Sequence, residues 1–358
     1  MKKFLFFLVV LIPIKVFGIS ASSAIAMDID NGRVLYGYNI DEKKLIASTT
    51  KIMTAIVAIE NCDINKEVTV SDIIYEAYGS AIYIEKGEIL TVEDLLYGLM
   101  LRSGNDAALM IAEAVSGSEE EFVYLMNEYA TNLKMKNTIF YNPHGLEENN
   151  KTGNLSTAFD MAKLTKYAME NSIFKKIFKT KNYIVKTNYK TYSWHNKNKL
   201  LNLNYITGGK TGFTKLARRT LVTTGSKDNI NIVVVTLNDP NDWQDHKEIY
   251  NNIFNTYKSY ELINKDKIKI KENKYYKDNH LYVKNNYNLT LKKEELKKIN
   301  LNYNLYKLKD YVNDSLVGYV EVILNDHIYH KEPIYIKIKK ENKNLSKWQK
   351  IKRWINSW

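Results

Sequence analysis

The sequence predicts a chain of the α/β class, α+β in kind: an antiparallel sheet flanked by helices and a helical subdomain, then a small all-β domain and a C-terminal amphipathic helix. Three observations carry this. Hairpin patterns at "SSAIAMDIDNGRVLYGYN" and "RRTLVTTGSKDNINIVVVTLN" bracket the first region. Helical periodicity dominates between them, from Ser48 to about Tyr167. Beyond about Lys265 the pattern changes to short alternating stretches such as "KIKIKEN", "GYVEVIL" and "EPIYIKIKK". With 358 residues, 45% of them hydrophobic, and only 4 prolines, the chain can bury a sizeable core.

The first element is a leader. Lys2 and Lys3 precede an apolar run from Phe4 to Ile14, followed by small residues around Gly18, Ser20 and Ala21, the layout of a secretory signal peptide over residues 1–20. Pro13 and Lys15 interrupt the run, which is too short to span a bilayer. The formal charge of +12 favours polyanionic surroundings, and export sets nucleic acid aside in favour of a cell wall or anionic lipid. A lone cysteine, Cys62, excludes an intramolecular disulfide and is expected buried and reduced.

In the first hairpin, Asn31-Gly32 suits a tight two-residue connection. "LIASTTKIMTAIVAIE" then reads as a helix enclosed on nearly all sides, with Lys51 its conspicuous charge. More helices follow at "TVEDLLYGLMLRSGNDAALMIAEAV" and "SEEEFVYLMNEYATNLKM". Strand patterns return at "NYIVKTN" and in the second hairpin, turning near Lys227 to Asn229, and "DWQDHKEIYNNIFNTYKSY" closes the region as a helix. The domains expected are 21–264 and 265–340, with the terminal helix at 341–358.

The buried lysine carries the chemistry. On a helix Ser48 and Lys51, at i and i+3, share one face, and burial beside a second cation would keep the amine neutral enough to take the serine proton. An isolated Ser-x-x-Lys is weak, because a capping serine with a snorkelling lysine gives the same letters and the spacing recurs at Ser172 to Lys175. Two further elements agree. Ser103-Gly104-Asn105 falls on a short connection between apolar helices, placed to offer a hydroxyl and an amide. Lys210-Thr211-Gly212, ahead of a strand pattern, suits an edge strand whose glycine lets a substrate backbone lie close. The same tripeptide at Lys151-Thr152-Gly153 lies in a turn-rich loop.

This ordered set resembles the penicillin-recognising serine enzymes, whose signature it is, and within them the low-molecular-mass D-alanyl-D-alanine carboxypeptidases. "GSAIYIEKGEILTVEDLLYGLMLRSGNDAA", "NPHGL", "LSTAFDMAKL", "GGKTGFTKLARRTLV" and "NDPNDWQDHKEIY" also look like carboxypeptidase segments, over roughly residues 22 to 258. The chain departs from the family pattern at "GNLSTA", where a histidine often precedes the Ser-Thr-Ala run, and at Arg218, where glycine is common. The resemblance implies the fold of the penicillin-binding and β-lactamase enzymes, with Ser48 as nucleophile and Lys51 as base. It implies an oxyanion site from the N–H groups of Ser48 and Phe213, a proton relay through Ser103 and Lys210, and substrate contacts from Asn105, Lys210, Thr211, Gly212 and Phe213. The implied substrate is the peptidoglycan stem pentapeptide, with β-lactams as inhibitors and no cofactor or metal.

Other readings fit less well. No Gly-x-Ser-x-Gly elbow is present, and no deacylating Glu-x-x-Leu-Asn segment of a class A β-lactamase lies between the second and third motifs. A β-lactamase, or a catalytically silent wall-binding protein of the same fold, remains the alternative. His327 and His330 suit a strand turn rather than a metal site, and His144 and His246 read as structural. At the end, "NLSKWQKIKRWINSW" spaces Leu345, Trp348, Ile351, Trp354, Ile355 and Trp358 by three or four, with Lys350, Lys352 and Arg353 largely elsewhere on the wheel. It reads as an interfacial helix on an anionic membrane surface, at the outer face of the cytoplasmic membrane.

Overall fold

A computed structural model of the protein describes residues 18–147, 152–270, 274–276 and 279–339. The expected leader lies outside them except for its last three residues, and the expected terminal helix at 341–358 lies wholly outside. The chain forms two compact units, the first within residues 18–253 and the second, apart from the turn 228–230, from Phe254 onward.

The first unit is built on a five-stranded sheet in the order Val34–Tyr38, Ser23–Asp28, Ile230–Leu237, Arg218–Lys227, Ile206–Thr214. Ser23–Asp28 runs antiparallel to Ile230–Leu237, and Arg218–Lys227 to Ile206–Thr214, which forms one edge. Among the described residues seven α-helices accompany it: α1 (Lys51–Asn61), α2 (Val92–Tyr97), α3 (Asn105–Ser116), α4 (Glu119–Asn132), α5 (Ala158–Ala168), α6 (Ser172–Phe178) and α7 (Asp242–Thr256). Strand alternation sorts them onto two faces. Val222, Val233 and Val235 join the apolar core shared with α1 to α6. Their neighbours Thr223 and Thr236 bond the buried His246 ring of α7 at 2.8 and 3.1 Å, so that histidine is structural.

Helix α1 is enclosed as its sequence requires, with every residue from Lys51 to Ile59 buried. Its start differs from the expectation: Ser48 sits in a 3-10 turn, Ala47–Thr50, and α-helix begins at Lys51. Three other boundaries differ. The first hairpin has a longer connection than two residues, because the Asp28 carboxylate draws in the N–H groups of Asp30 and Asn31. Short strands Glu67–Thr69 and Ile89–Thr91 pair inside the stretch read as helical, where β-branched and turn residues outweigh the periodicity. "YKSY" leaves α7 and enters the strand Tyr257–Ile263. Cys62 is half-buried rather than buried, and free.

The strand Tyr257–Ile263 pairs with Tyr287–Lys292, so the second unit takes in residues before the boundary expected at 265. A four-stranded sheet, in the order His280–Val283, His327–Lys337, Leu316–Leu324, Ile299–Leu305, completes it. Ile263, Leu289, Leu291, Val320, Val322, Ile334 and Ile336 share one core. His330 stacks on Tyr287 and meets Glu332 at 3.0 Å, and among the described residues no cluster of three or more metal-ligating side chains occurs.

Gly212 on the edge strand fixes how closely the sheet approaches the Ser48 turn. A Cβ there would stand 2.9 Å from the Ser48 nitrogen and 3.1 Å from that of Thr49, as well as against the Thr220 hydroxyl. Glycine serves the protein's own backbone contact here, beyond the substrate contact expected of it. Gly212→Ala is therefore expected to lower stability by roughly 1–3 kcal/mol through overpacking, read as a lower denaturant midpoint with unchanged slope.

Candidate active site

Four segments converge on the amine of Lys51. The first is the turn Ala47–Thr50, held to the sheet by the Thr220 hydroxyl, which donates to the Ile46 carbonyl at 3.0 Å. Ala47 adopts φ +47°, a left-handed conformation that the tight turn imposes. Ser48 is half-buried on this turn, and its Oγ lies 3.3 Å from Lys51 Nζ.

The loop around His144 is the second. Asn154 donates to Thr50 Oγ1 and to the Asn142 carbonyl, each at 2.9 Å, and Thr54 donates to the Pro143 carbonyl at 2.6 Å. Gly145, at φ +91°, lets the loop abut the Ala47 carbonyl where a Cβ could not fit. These ties place the His144 carbonyl 2.6 Å from Lys51 Nζ. The His144 ring is pushed down to about 3 by burial and by the Lys51 charge, and stays neutral.

The third segment is the connection into α3. A π turn, Gly98–Arg102, ends at Ser103 in the left-handed conformation, φ +65°. Asn105 opens α3, its N–H on the Ser80 carbonyl at 2.7 Å and its side-chain amide donating to the Tyr78 carbonyl. That donation turns Oδ1 toward Lys51 Nζ, 2.7 Å away. Asp106 next in line accepts from the N–H groups of Ile82 and Tyr83, fixing the wall beside the site.

The edge strand is the fourth. Lys210 Nζ donates to Ser103 Oγ at 3.0 Å and to the Thr211 carbonyl at 2.7 Å. Phe213 is 59% exposed at the open edge, and Thr214 bonds the Glu147 carboxylate. Arg218 stands at φ +60°, in the left-handed region that favours glycine.

The two amines have shifted acidities. Lys51 is 0% exposed, and burial, then the charges of Lys210 and Lys197, hold it well below the ordinary lysine range. Burial and Lys197 bring Lys210 down to about 7. A neutral lysine has two N–H donors and one lone pair. At Lys51, Asn105 Oδ1 and the His144 carbonyl take the donors, and the third direction faces Ser48 Oγ.

The structure thus brings together Ser48, Lys51, Asn105, Ser103 and Lys210, with Thr211, Gly212 and Phe213 on the adjoining edge. Ser172 and Lys175 lie apart on α6, and Lys151 lies outside the described residues. The sequence reading missed the carbonyls of His144 and Tyr78, and the charge of Lys197. The "NPHGL" segment was the one signal for the first of these.

Residues 13–241 match the S11 peptidase family, described as D-alanyl-D-alanine carboxypeptidase. The D-alanyl-D-alanine carboxypeptidase DacF of Bacillus subtilis is 38% identical over 222 residues, 60% of this chain and 56% of that protein, so the match spans little more than half its length. Among solved structures, the Streptomyces K15 DD-transpeptidase aligns with a TM-score of 0.62 at 32% identity, covering 65% of this chain and 97% of that one. The D-alanyl-D-alanine carboxypeptidase DacD of Francisella tularensis aligns over 90% of this chain and 94% of its own with a TM-score of 0.69; at 21% identity this likeness shows the fold alone.

Lys197 tests the electrostatics without touching the catalytic set. Its positive charge lowers both Lys51 and Lys210, so Lys197→Met raises both. With Lys51 in the expected role of base, acylation of Ser48 would need the neutral amine and would increase with pH. The half-maximal pH for acylation of Ser48 is therefore expected to move upward in Lys197→Met, checked by a stopped-flow acylation profile from pH 5 to 10.

Proposed function

The chain belongs to the D-alanyl-D-alanine carboxypeptidase family of serine peptidases, and from the arrangement around Ser48 we propose that it removes the terminal D-alanine from peptidoglycan stem pentapeptides through an acyl-enzyme. The observation that carries this is a fully buried lysine amine 3.3 Å from a serine hydroxyl, its other two directions already held by fixed oxygens.

In this reading Ser48 Oγ attacks the carbonyl between the last two D-alanines while Lys51 takes its proton. The N–H groups of Ser48 and Phe213 receive the oxyanion, a contribution of about 3 kcal/mol for each fixed donor. Ser103, bonded to Lys210, hands a proton to the departing amine. Asn105 meets the substrate backbone, Lys210 and Thr211 meet the terminal carboxylate, and Gly212 keeps the strand close. D-Alanine leaves, and water hydrolyses the ester on Ser48. A β-lactam acylates the same serine, and among the described residues no carboxylate is hydrogen-bonded to Ser48 or Lys51 to hasten hydrolysis as a β-lactamase requires. The intact catalytic set counts against a silent wall-binding protein. The process served is cell wall biogenesis and control of cross-linking.

The leader pattern and the terminal amphipathic spacing support export and peripheral attachment to an anionic membrane surface. No helix among the described residues is long and apolar enough to cross a membrane.

Purified protein given a stem pentapeptide is expected to release D-alanine, and Ser48→Ala to lose both this release and covalent labelling by fluorescent penicillin. Labelling that survives in Ser48→Ala sinks the assignment; rapid penicillin turnover without D-alanine release makes the protein a β-lactamase. Deleting residues 344–358 is expected to free the protein from anionic vesicles in a flotation assay, with hydrolysis of a soluble peptide unchanged.

A further inference from the structure

Asp239, just past the strand Ile230–Leu237, and Asp245, in the first turn of α7, are 0% and 4% exposed. The neighbouring Asp242 is bound by Arg219, whose Nε and Nη2 donate at 3.0 and 2.8 Å. Among the described residues neither Asp239 nor Asp245 has a lysine or arginine at ion-pair distance.

The pair faces the Asn241 N–H, which donates to Asp239 Oδ1 at 3.1 Å, the side chain of Thr236, and the start of the described chain. The Ser20 and Ala21 N–H groups donate to Asp245 Oδ2 at 2.6 and 3.2 Å. The Ser20 hydroxyl lies 2.8 Å from Asp239 Oδ1 and 2.9 Å from Asp245 Oδ2, and its single proton serves only one of them. Asp239 Oδ2 is buried with no hydrogen-bond partner. Burial and the neighbouring Asp245 push Asp239 up to about 6. The site lacks one positive charge and at least one donor.

We propose that Asp239 and Asp245 form the binding site for the α-ammonium group created when the leader is removed after Ser20. Gly18 and Ser20 put small residues three and one positions before that bond, as leader removal requires. Hydrolysis of the Ser20–Ala21 peptide bond adds one water, leaving a carboxylate on the leader and an ammonium on Ala21. That ammonium starts 3.2 Å from Asp245 Oδ2, enters the space Ser20 vacates, and offers three N–H donors to Asp245 Oδ2, Asp239 Oδ1 and the unpartnered Asp239 Oδ2. The pairing pins Ser23–Asp28 into the sheet, next to the Ser22 N–H that donates to the Asn238 carbonyl at 3.1 Å. Processing therefore supplies the counter-charge, whereas the uncut chain keeps a buried acid pair without one.

The inference rests on the export reading, and the test separates the two. The full chain, leader included, is exported by a bacterial host, and the purified protein's N-terminus is read by intact mass. Ala21 is expected; a terminus elsewhere, or an uncut chain, overturns the assignment at the processing step. With Ala21 first, limited acetylation at pH 7 is expected to modify the α-amine at least about tenfold more slowly than in Asp239→Asn/Asp245→Asn. A chain retaining Gly-Ser ahead of Ala21 is expected to melt several degrees lower, with no such difference in the double asparagine background. If the double variant does not fold, Asp245→Asn alone carries the comparison. An α-amine acetylated as fast as that of a free peptide, with equal melting of the native and extended chains, overturns the pairing while leaving export intact.

Discussion

A primary amine with no exposed surface, held 2.6 and 2.7 Å from two fixed oxygens, is the constraint around which the catalytic unit is arranged. As an ammonium, Lys51 would have Ser48 Oγ, 3.3 Å away, as its third acceptor but no counter-charge bonded to it, and burial of an unpaired charge is costly. As an amine it is satisfied by the carbonyl of His144 and the amide oxygen of Asn105, and its lone pair has one direction left. Asp106, whose charge acts on Lys51 in the raising direction, is occupied by the N–H groups of Ile82 and Tyr83. Lys210, also buried, adds positive charge rather than removing it. The downward shift at Lys51 thus follows from where counter-charges are absent as much as from where cations stand.

Holding three remote segments at these distances imposes unusual backbone. Ala47, Ser103 and Arg218 all sit at positive φ without being glycine, and Gly145 does so beside the first of them. Each left-handed non-glycine residue costs on the order of 1–3 kcal/mol and persists only where its surroundings over-determine it. Here the surroundings are α1, buried from Lys51 to Ile59, the Asn142 and Asn154 ties beside the Ser48 turn and the close passage of Gly212. The fold's large core and the site's strain are therefore linked: the first makes the second tolerable.

Most of the site was legible because its chemistry resides in side chains whose types and spacings are visible. Ser48 with Lys51, Ser103 with Asn105, and Lys210 ahead of a strand pattern could be read without coordinates. Backbone oxygens could not, since every residue has one; nothing in the letter for His144 says that its carbonyl, and not its ring, meets Lys51. An i, i+3 spacing also fails to separate a 3-10 turn from an α-helix, which is why the helix was expected to open at Ser48. Gly212 was expected to admit a substrate backbone, and the group that approaches it within the protein is the Ser48 turn. The early part of the second unit was missed because "YKSYELI" continues a helical pattern while its polar-apolar alternation, fixed by pairing with Tyr287–Lys292, emerges only with the partner strand present.

The same geometry, on the proposed mechanism, would make a stem peptide a substrate and a β-lactam a trap. On the proposed mechanism, with no carboxylate among the described residues bonded to Ser48 or Lys51, the base that activates water is Lys51 itself, after it has returned to the neutral form. Lys51 received its proton from Ser48, and it loses that proton only as the leaving group is protonated through Ser103 and Lys210. With a peptide, the departing D-alanine carries its carboxylate away from Lys210 and Thr211 and opens the path to water. With a β-lactam, the leaving nitrogen remains tethered, its carboxylate stays on the edge strand, and the space that water needs stays filled. Turnover is then decided less by how fast Ser48 is acylated than by whether the leaving group can depart from the strand that bound it.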